Sequence, residues 1–88
     1  MTDEEQEELH LAEAERHIAR GEELIQFMRH RIERLQAAGA PTEAQEGLLS
    51  TMLESLALMK LHREFIVDRL ASLRNSLKQF TSPPPTKN

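Results

Sequence analysis

Four histidines and the glutamates near them are the side chains in this sequence whose types and spacing best suit chemistry. Glu7 and His10 have the E-x-x-H spacing, which puts a carboxylate and an imidazole on one helix face, as in carboxylate-bridged di-metal bundles. Such a site needs two of these motifs and two further inward-facing glutamates, and the motif occurs once here. The pair therefore does not predict a di-metal centre.

A second group of histidines and glutamates would form only if two helices pair. Glu13 and His17 are one helical turn apart, and antiparallel pairing would bring His62 and Glu64 near His17. A metal site there is conceivable, but glutamate and histidine at this spacing are also common on solvated helix flanks. We favour the solvated flank and predict no metal ligands and no cofactor.

No set of residues for nucleophilic catalysis is visible. The chain has no cysteine, which excludes thiolate chemistry. Its serines lie in helical patterns, and its three glycines are isolated, so neither a nucleophile elbow nor a phosphate-binding loop is present. Acid–base catalysis also needs a pocket that perturbs pKa values, and two helices enclose little space. We predict that the protein is not an enzyme and has no catalytic residues.

Two long helical segments must position these side chains. Thr2 and Glu5 have the spacing of a capping box at the start of the first segment. The run AAGAPT then breaks the pattern, because Gly39 suits the position after a helix C-terminus and Pro41 cannot continue a helix. The predicted organisation is helix 1 over about 3–38, a turn at 39–41, helix 2 over about 43–80, and a disordered Pro-rich tail over 81–88.

Both segments repeat apolar residues in alternating steps of three and four, the pattern of helices that share one buried seam. The seam of helix 1 contains Leu11, Ala14, Ile18, Gly21, Ile25, Met28, Ile32 and Leu35. The seam of helix 2 contains Leu49, Met52, Leu56, Met59, Arg63, Ile66, Leu70, Leu73, Leu77 and Phe80. Because the turn between them is short, the predicted fold class is all-α, a coiled-coil-like antiparallel two-helix hairpin.

Helix 2 has more apolar residues than one neighbouring helix can cover. Leu58, Leu61 and Phe65 project roughly opposite its seam, whereas Leu24 and Phe27 lie beside the seam of helix 1. A lone hairpin would leave these side chains in water, which soluble monomers rarely do. We therefore predict a homodimer in which two hairpins form a four-helix bundle and these five residues lie at the interface. A different protein as partner, or a higher oligomer, is the alternative.

Two seam positions are unusual. Gly21 faces the turn of helix 2 that contains Met59, and it either makes room for that side chain or is simply a tolerated glycine. Arg63 is the one polar seam member, and its partner would be Glu15, Glu22 or a residue of the dimer mate. It is a possible register-fixing residue, and the alternative is that its head group extends into water.

Charge and composition limit the other roles. The net charge is −4 and the only aromatic residues are three phenylalanines, which disfavours both phosphate binding and base stacking. Arg29, Arg31 and Arg34 do cluster, but acids are interleaved with the basic residues, as in the i,i+4 pairs Arg29–Glu33 and Lys60–Glu64. We predict a non-enzymatic protein-interaction or adaptor module, with a small dimeric RNA- or DNA-binding regulator as the alternative.

The sequence shows no pattern typical of a targeting signal or a membrane helix. The acidic start has no signal-peptide character, and no apolar run is long enough for a membrane helix. We therefore expect a cytoplasmic protein that does not contact membranes.

Three short motifs are spread over residues 9–70. They are His10 to His17-Ile18, Gly39 to Thr42, and Leu56-Ala57-Leu58-Met59 to His62-Arg63. In these motifs the chain resembles a group of short helical-hairpin proteins that are common in proteobacteria and have no assigned activity. The resemblance implies the hairpin fold and no catalytic residues. Pro41 inside the turn is a small departure that should stiffen it.

Overall fold

The computed structural model describes residues 1–81, with side chains as far as Gln79, and this part of the chain consists of two helices and the turn between them, without strands. Helix α1 spans Asp3–Ala37 and helix α2 spans Glu43–Thr81. Thr2 caps α1 as predicted, since its Oγ1 accepts the Glu5 backbone N–H at 3.1 Å and its hydroxyl donates to Glu5 Oε1 at 3.0 Å. The first helix therefore starts where the sequence signals place it.

The turn after α1 is a Schellman motif centred on Gly39. Gly39 has φ +71°, a left-handed conformation that only glycine adopts without strain. Its N–H donates to the Gln36 carbonyl at 3.0 Å, and the Ala40 N–H donates to the Leu35 carbonyl at 2.9 Å. These bonds satisfy carbonyls at the end of α1 and reverse the chain within a few residues, so α2 returns alongside α1.

The helix ends differ slightly from the predicted ones. Helix α1 ends one residue before the predicted end, and α2 includes Thr81, the first residue of the predicted tail. The rest of the predicted tail lies outside the described residues, as does the side chain of Phe80.

The two helices pack antiparallel along the predicted seam. Every seam residue of α1 is buried or half-buried, and so is every seam residue of α2 from Leu49 to Leu73. Near the open end Ala14 packs with Ile66 and Leu70. Closer to the turn, Ile18 and Ile25 cluster with Leu56, Leu49, Met52 and Met59.

One predicted seam residue is not buried. The Leu77 side chain is 52% exposed. It lies at the open end of the hairpin, where Glu4 of α1 already pairs with Arg74, so α1 has few residues left to lie opposite it. The prediction that Leu77 belongs to the buried seam is therefore wrong.

The core between the helices is one row of side chains deep. Its buried members are Ala14, Ile18, Ile25, Ile32, Leu56, Ile66 and Leu70, and none of the described side chains is less than 2% exposed. Two helices can shield a seam from water but cannot enclose it, because each seam residue has a neighbour on one side only. In the described part of the chain, neither helix has a stretch long and apolar enough to cross a membrane.

Candidate interaction surface

The hairpin has two broad sides that differ in chemistry. A heptad row is a set of residues seven apart, and the rows that flank the seam of each helix point to opposite sides of the pair. Contacts across the groove between the helices show which rows share a side. We call them the ion-pair side and the histidine side.

The ion-pair side is defined by the rows that contain Glu8, Glu15 and Glu22 of α1 and Lys60, Val67 and Arg74 of α2. Lys60 Nζ lies 3.7 Å from Glu22 Oε1, and an Arg74 amino nitrogen lies 3.0 Å from Glu8 Oε1. Glu15 and Val67 line one shallow groove between these pairs. The interpretation that Lys60 pairs with Glu64 within α2 is wrong, because the Lys60 side chain reaches across to α1 instead.

The histidine side is defined by the rows that contain His10, His17 and Leu24 of α1 and Leu48 and His62 of α2, together with the rows of Phe27, Leu58 and Phe65 just outside them. One open groove is lined by His17, Leu58 and His62, with Ala14 and Met59 beneath them. The neighbouring groove is lined by His10, His62 and Phe65, with Glu7, Ile66 and Arg69. This side therefore combines large apolar side chains with three of the four histidines.

The apolar residues of the histidine side are exposed. Leu58, Phe65 and Phe27 are 67%, 64% and 69% exposed, and Leu24 is 43% exposed. Phe27 and Leu24 line a further groove with Arg20 and Glu23, which pair with each other at 3.3 Å. All four are residues that the sequence assigns to a dimer interface, and one hairpin leaves them in water.

Leu61 and Leu48 extend this apolar surface. Leu61, the fifth predicted interface residue, is 48% exposed and lies on the outer face of α2, one turn from both Leu58 and Phe65. Leu48, which the apolar pattern of the sequence did not single out, is 52% exposed at the turn end of the histidine side. Its position two heptads before His62 is the signal that would have identified it.

The histidines of the histidine side are not grouped with further candidate metal ligands in one hairpin. Among the described residues, no group of three or more histidine, aspartate or glutamate side chains is placed to hold a metal ion. His17 and His62 do share a groove, as antiparallel pairing predicts. Glu64 does not join them, because it lies two residues beyond His62, about 200° around the helix, and lines the groove on the ion-pair side. That part of the prediction is wrong.

Arg63 is half-buried on the seam and lines the groove on the ion-pair side with Glu15. Within residues 1–79 its guanidinium has no carboxylate within ion-pair distance, and Glu22 pairs with Lys60 instead. A register-fixing role for Arg63 stays a prediction. The carboxylate oxygens of Glu15 and Glu22, its expected partners within the hairpin, are both more than 4 Å from the guanidinium nitrogens.

A cluster of interhelix ion pairs closes the open end of the hairpin. Arg74 Nε donates to Glu4 Oε1 at 2.8 Å, and a second Arg74 nitrogen donates to Glu8 Oε1 at 3.0 Å. These hydrogen bonds, first to Glu4 and then to Glu8, raise the pKa of Arg74 above its ordinary value. Arg69 Nε also lies 3.2 Å from Glu7 Oε1. The N-terminal turns of α1 are thus tied to the last turns of α2 by charge rather than by apolar packing.

The arginines of residues 29–34 are exposed but do not share one side. Arg29 falls in the heptad row of Glu22 on the ion-pair side, whereas Arg31 falls in the row of Leu24 on the histidine side. None of Arg29, Arg31 and Arg34 forms an ion pair with the residues that the structure describes, and Glu33 lies 3.6 Å from His30 rather than pairing with Arg29.

Comparison with known proteins adds no relative. No protein-family model, curated protein sequence or solved structure matches this chain.

Proposed function

We propose that the protein is a non-enzymatic protein-interaction or adaptor module that acts as a homodimer, with the histidine side as the interface between two copies. The observation that carries the proposal is the exposure of Phe27, Leu58 and Phe65, each roughly two-thirds exposed on one side of the hairpin. Large apolar side chains grouped on one surface mark an interaction site in a soluble protein.

The size of the surface supports a second copy as the partner. A large side chain presents about 150–250 Å² when fully exposed, so the five predicted interface residues leave on the order of 500 Å² of apolar surface per hairpin. Two copies would bury on the order of 1,000 Å², the size at which specific interfaces begin. The resulting four-helix bundle would also make the one-row core of each hairpin two rows deep.

The charge distribution supports the same partner. Identical faces meet in a two-fold dimer, so a face with net charge in its centre would repel its own copy. Arg20 lines the groove of Leu24 and Phe27 on this surface, and Glu23 pairs with it at 3.3 Å. The groove of Leu58 and the groove of Leu24 and Phe27 can therefore meet a second copy without an unpaired like-charge contact, and the unpaired Arg31 lies one heptad beyond Leu24 toward the turn.

A pair of charge insertions on the same helix tests the interface. Leu58→Glu places a carboxylate on the histidine side of each copy, whereas Leu53→Glu places the same group in the heptad row of Lys60 on the ion-pair side. We expect Leu58→Glu to raise the dissociation constant of the dimer at least about 100-fold, because two leucines lose burial worth about 1.5–3 kcal/mol each. Leu61→Glu should weaken the dimer in the same direction.

Sedimentation of the wild-type chain and these variants gives the readout. Leu53→Glu is the matched control and should sediment like the wild type. A wild-type chain that remains a single copy at high concentration, or a Leu58→Glu variant that remains dimeric, would contradict the proposed interface.

A nucleic-acid-binding dimer is the second candidate. The unpaired state of Arg29, Arg31 and Arg34 favours it, since free guanidinium groups are available for phosphates. Their distribution over both sides of the hairpin and the acidic net charge count against it. A gel shift with structured RNA and with duplex DNA at low salt tests this role. Loss of a shift when all three arginines are changed to glutamine would support it, and no shift at low salt would remove it.

A further inference from the structure

We propose that protonation of His17 and His62 dissociates the dimer, so that assembly through the histidine side depends on pH. The inference rests on the proposed homodimer and adds its regulation. It starts from a placement that the dimer prediction did not use: both imidazoles line the same groove as Leu58, in the middle of the apolar surface.

The groove that holds these two imidazoles has no carboxylate in its lining. Its other members are Ala14, Leu58 and Met59. On the face of α1 that carries His17, the nearest charged residues are Glu13, one turn before it, and Arg20, one turn after it and already paired with Glu23. In the described part of the chain Glu13 forms no ion pair with His17 and does not line the groove, so a positive charge on either imidazole would be compensated mainly by water while the groove is open.

The adjoining groove around His62 offers no free acceptor either. Its charged residues are Glu7 and Arg69, together with His10. Glu7 Oε1 is engaged by Arg69 Nε at 3.2 Å and lies 3.5 Å from His10 Nδ1. Protonation of His62 thus adds positive charge next to a carboxylate that already has a cationic partner.

Closing the dimer changes the environment of both imidazoles. The second copy covers the groove with its own apolar residues and brings its own His17 and His62 to the same interface, whichever way the two hairpins are oriented. Neutral imidazoles tolerate this, because their ring carbons pack against leucine and phenylalanine. Charged imidazoles lose their water and meet like charges, and burying unpaired charge is strongly unfavourable.

The sign of the pH dependence follows from this difference. The separated hairpins bind protons at these histidines more readily than the dimer does, so lowering the pH favours the separated state. Histidine is the side chain that ordinarily changes charge between about pH 5 and 8, whereas ordinary carboxylates stay ionised above about pH 5. Acidification within this window should therefore act through the histidines.

Sedimentation at about pH 7.5 and about pH 5.5 tests the inference, with neutral glutamine replacing histidine. We expect the dissociation constant of the wild-type dimer to rise at least about tenfold at the lower pH. The double variant His17→Gln/His62→Gln should show less than about a twofold change, and His62→Gln alone an intermediate one. His30→Gln is the control, because His30 lies on the outer face of α1 beside Glu33 with its side chain 74% exposed.

Each outcome supports or overturns a specific claim. A wild-type dimer with the same dissociation constant at both pH values overturns the histidine coupling and leaves the dimer intact. The histidine coupling is also overturned if the double variant responds to pH as fully as the wild type. If the double variant is monomeric at both pH values, His62→Gln takes its place, and a full pH response of that single variant overturns the coupling. A wild-type chain that is a single copy at both pH values overturns the dimer and the coupling together.

Discussion

Gly21 shows how a single residue adjusts the seam. A Cβ atom placed on Gly21 would lie 3.1 Å from Met59 Cε and 3.4 Å from Leu56 Cδ1. The sequence left two interpretations of Gly21 open. The one in which Gly21 makes room for Met59 therefore has a geometric basis. The near contact, however, is the end of a methionine side chain, which is unbranched and can move at little energetic cost.

Gly21→Ala should therefore increase the free energy of unfolding by about 0.5–1 kcal/mol, because the gain in helix propensity exceeds the small shift of Met59. Gly21→Val should instead decrease it by about 1–3 kcal/mol, since a β-branched side chain would overpack the seam. Urea denaturation at one fixed protein concentration measures both. If the alanine variant is less stable than the wild type, the seam requires the close approach of the two helices at this position.

At the scale of the helices, the hairpin is held by different forces along its length. Near the middle and the turn, isoleucine and leucine side chains of the seam exclude water. At the open end, ion pairs of Arg74 with Glu4 and Glu8 and of Arg69 with Glu7 hold the first turns of α1. Exposed ion pairs contribute little and are screened by salt, so this end is the part expected to open first.

Arg74→Gln should accelerate amide hydrogen exchange in the first two turns of α1, because it removes both hydrogen bonds that tie them to α2. Exchange near Ile25 should be unchanged. Arg20→Gln is the control, since Arg20 pairs with Glu23 within one helix. Equal protection of the N-terminal peptide in wild type and Arg74→Gln, followed by mass spectrometry, would show that these pairs do not hold the open end.

The raised pKa of Arg74 determines the pH range in which its guanidinium stays charged and can keep its ion pairs with Glu4 and Glu8. Because the folded-state pKa is raised, the contribution of Arg74 is fully present below its ordinary value and is lost only as the pH rises through the raised one. Between about pH 5 and 10 the guanidinium therefore does not titrate. Any pH response of assembly in that range must come from other groups, which separates it from the proposed histidine effect.

At the scale of the whole molecule, one hairpin is too thin to bury what its sequence offers. The described part of the chain contains no fully buried large side chain, whereas Phe27, Leu58 and Phe65 are largely exposed to solvent. A chain of this size buries a modest fraction of its surface and is marginal when alone. Folding and assembly should therefore be thermodynamically linked.

The melting temperature should accordingly rise with protein concentration. Each tenfold increase in total chain concentration should add about 0.7 kcal/mol of stability per chain, because mass action would favour the proposed folded dimer. Leu58→Glu should melt at a lower temperature that does not depend on concentration. Circular dichroism melts over a hundredfold concentration range measure both, and a wild-type melting temperature that stays constant would argue for a self-sufficient monomer.

Several features of the molecule follow from the sequence alone because they depend on residues close together in the chain. The alternating three- and four-residue steps define the seam from Leu11 to Leu35 and from Leu49 to Leu73, since side-chain direction in a helix repeats with a fixed period. The reversal at Gly39 is equally local, because only glycine accepts its backbone conformation without strain. The exposed apolar residues beside and opposite the seam follow from the same period.

Other features required the tertiary structure because they depend on how one helix is rotated and shifted against the other. That arrangement is the sum of many seam contacts, and no single spacing reveals it. It brings Lys60 to Glu22 rather than to Glu64 and exposes Leu77 at the open end. It also decides that the groove in which the sequence already places His17 and His62 is lined by Leu58 and not by Glu64.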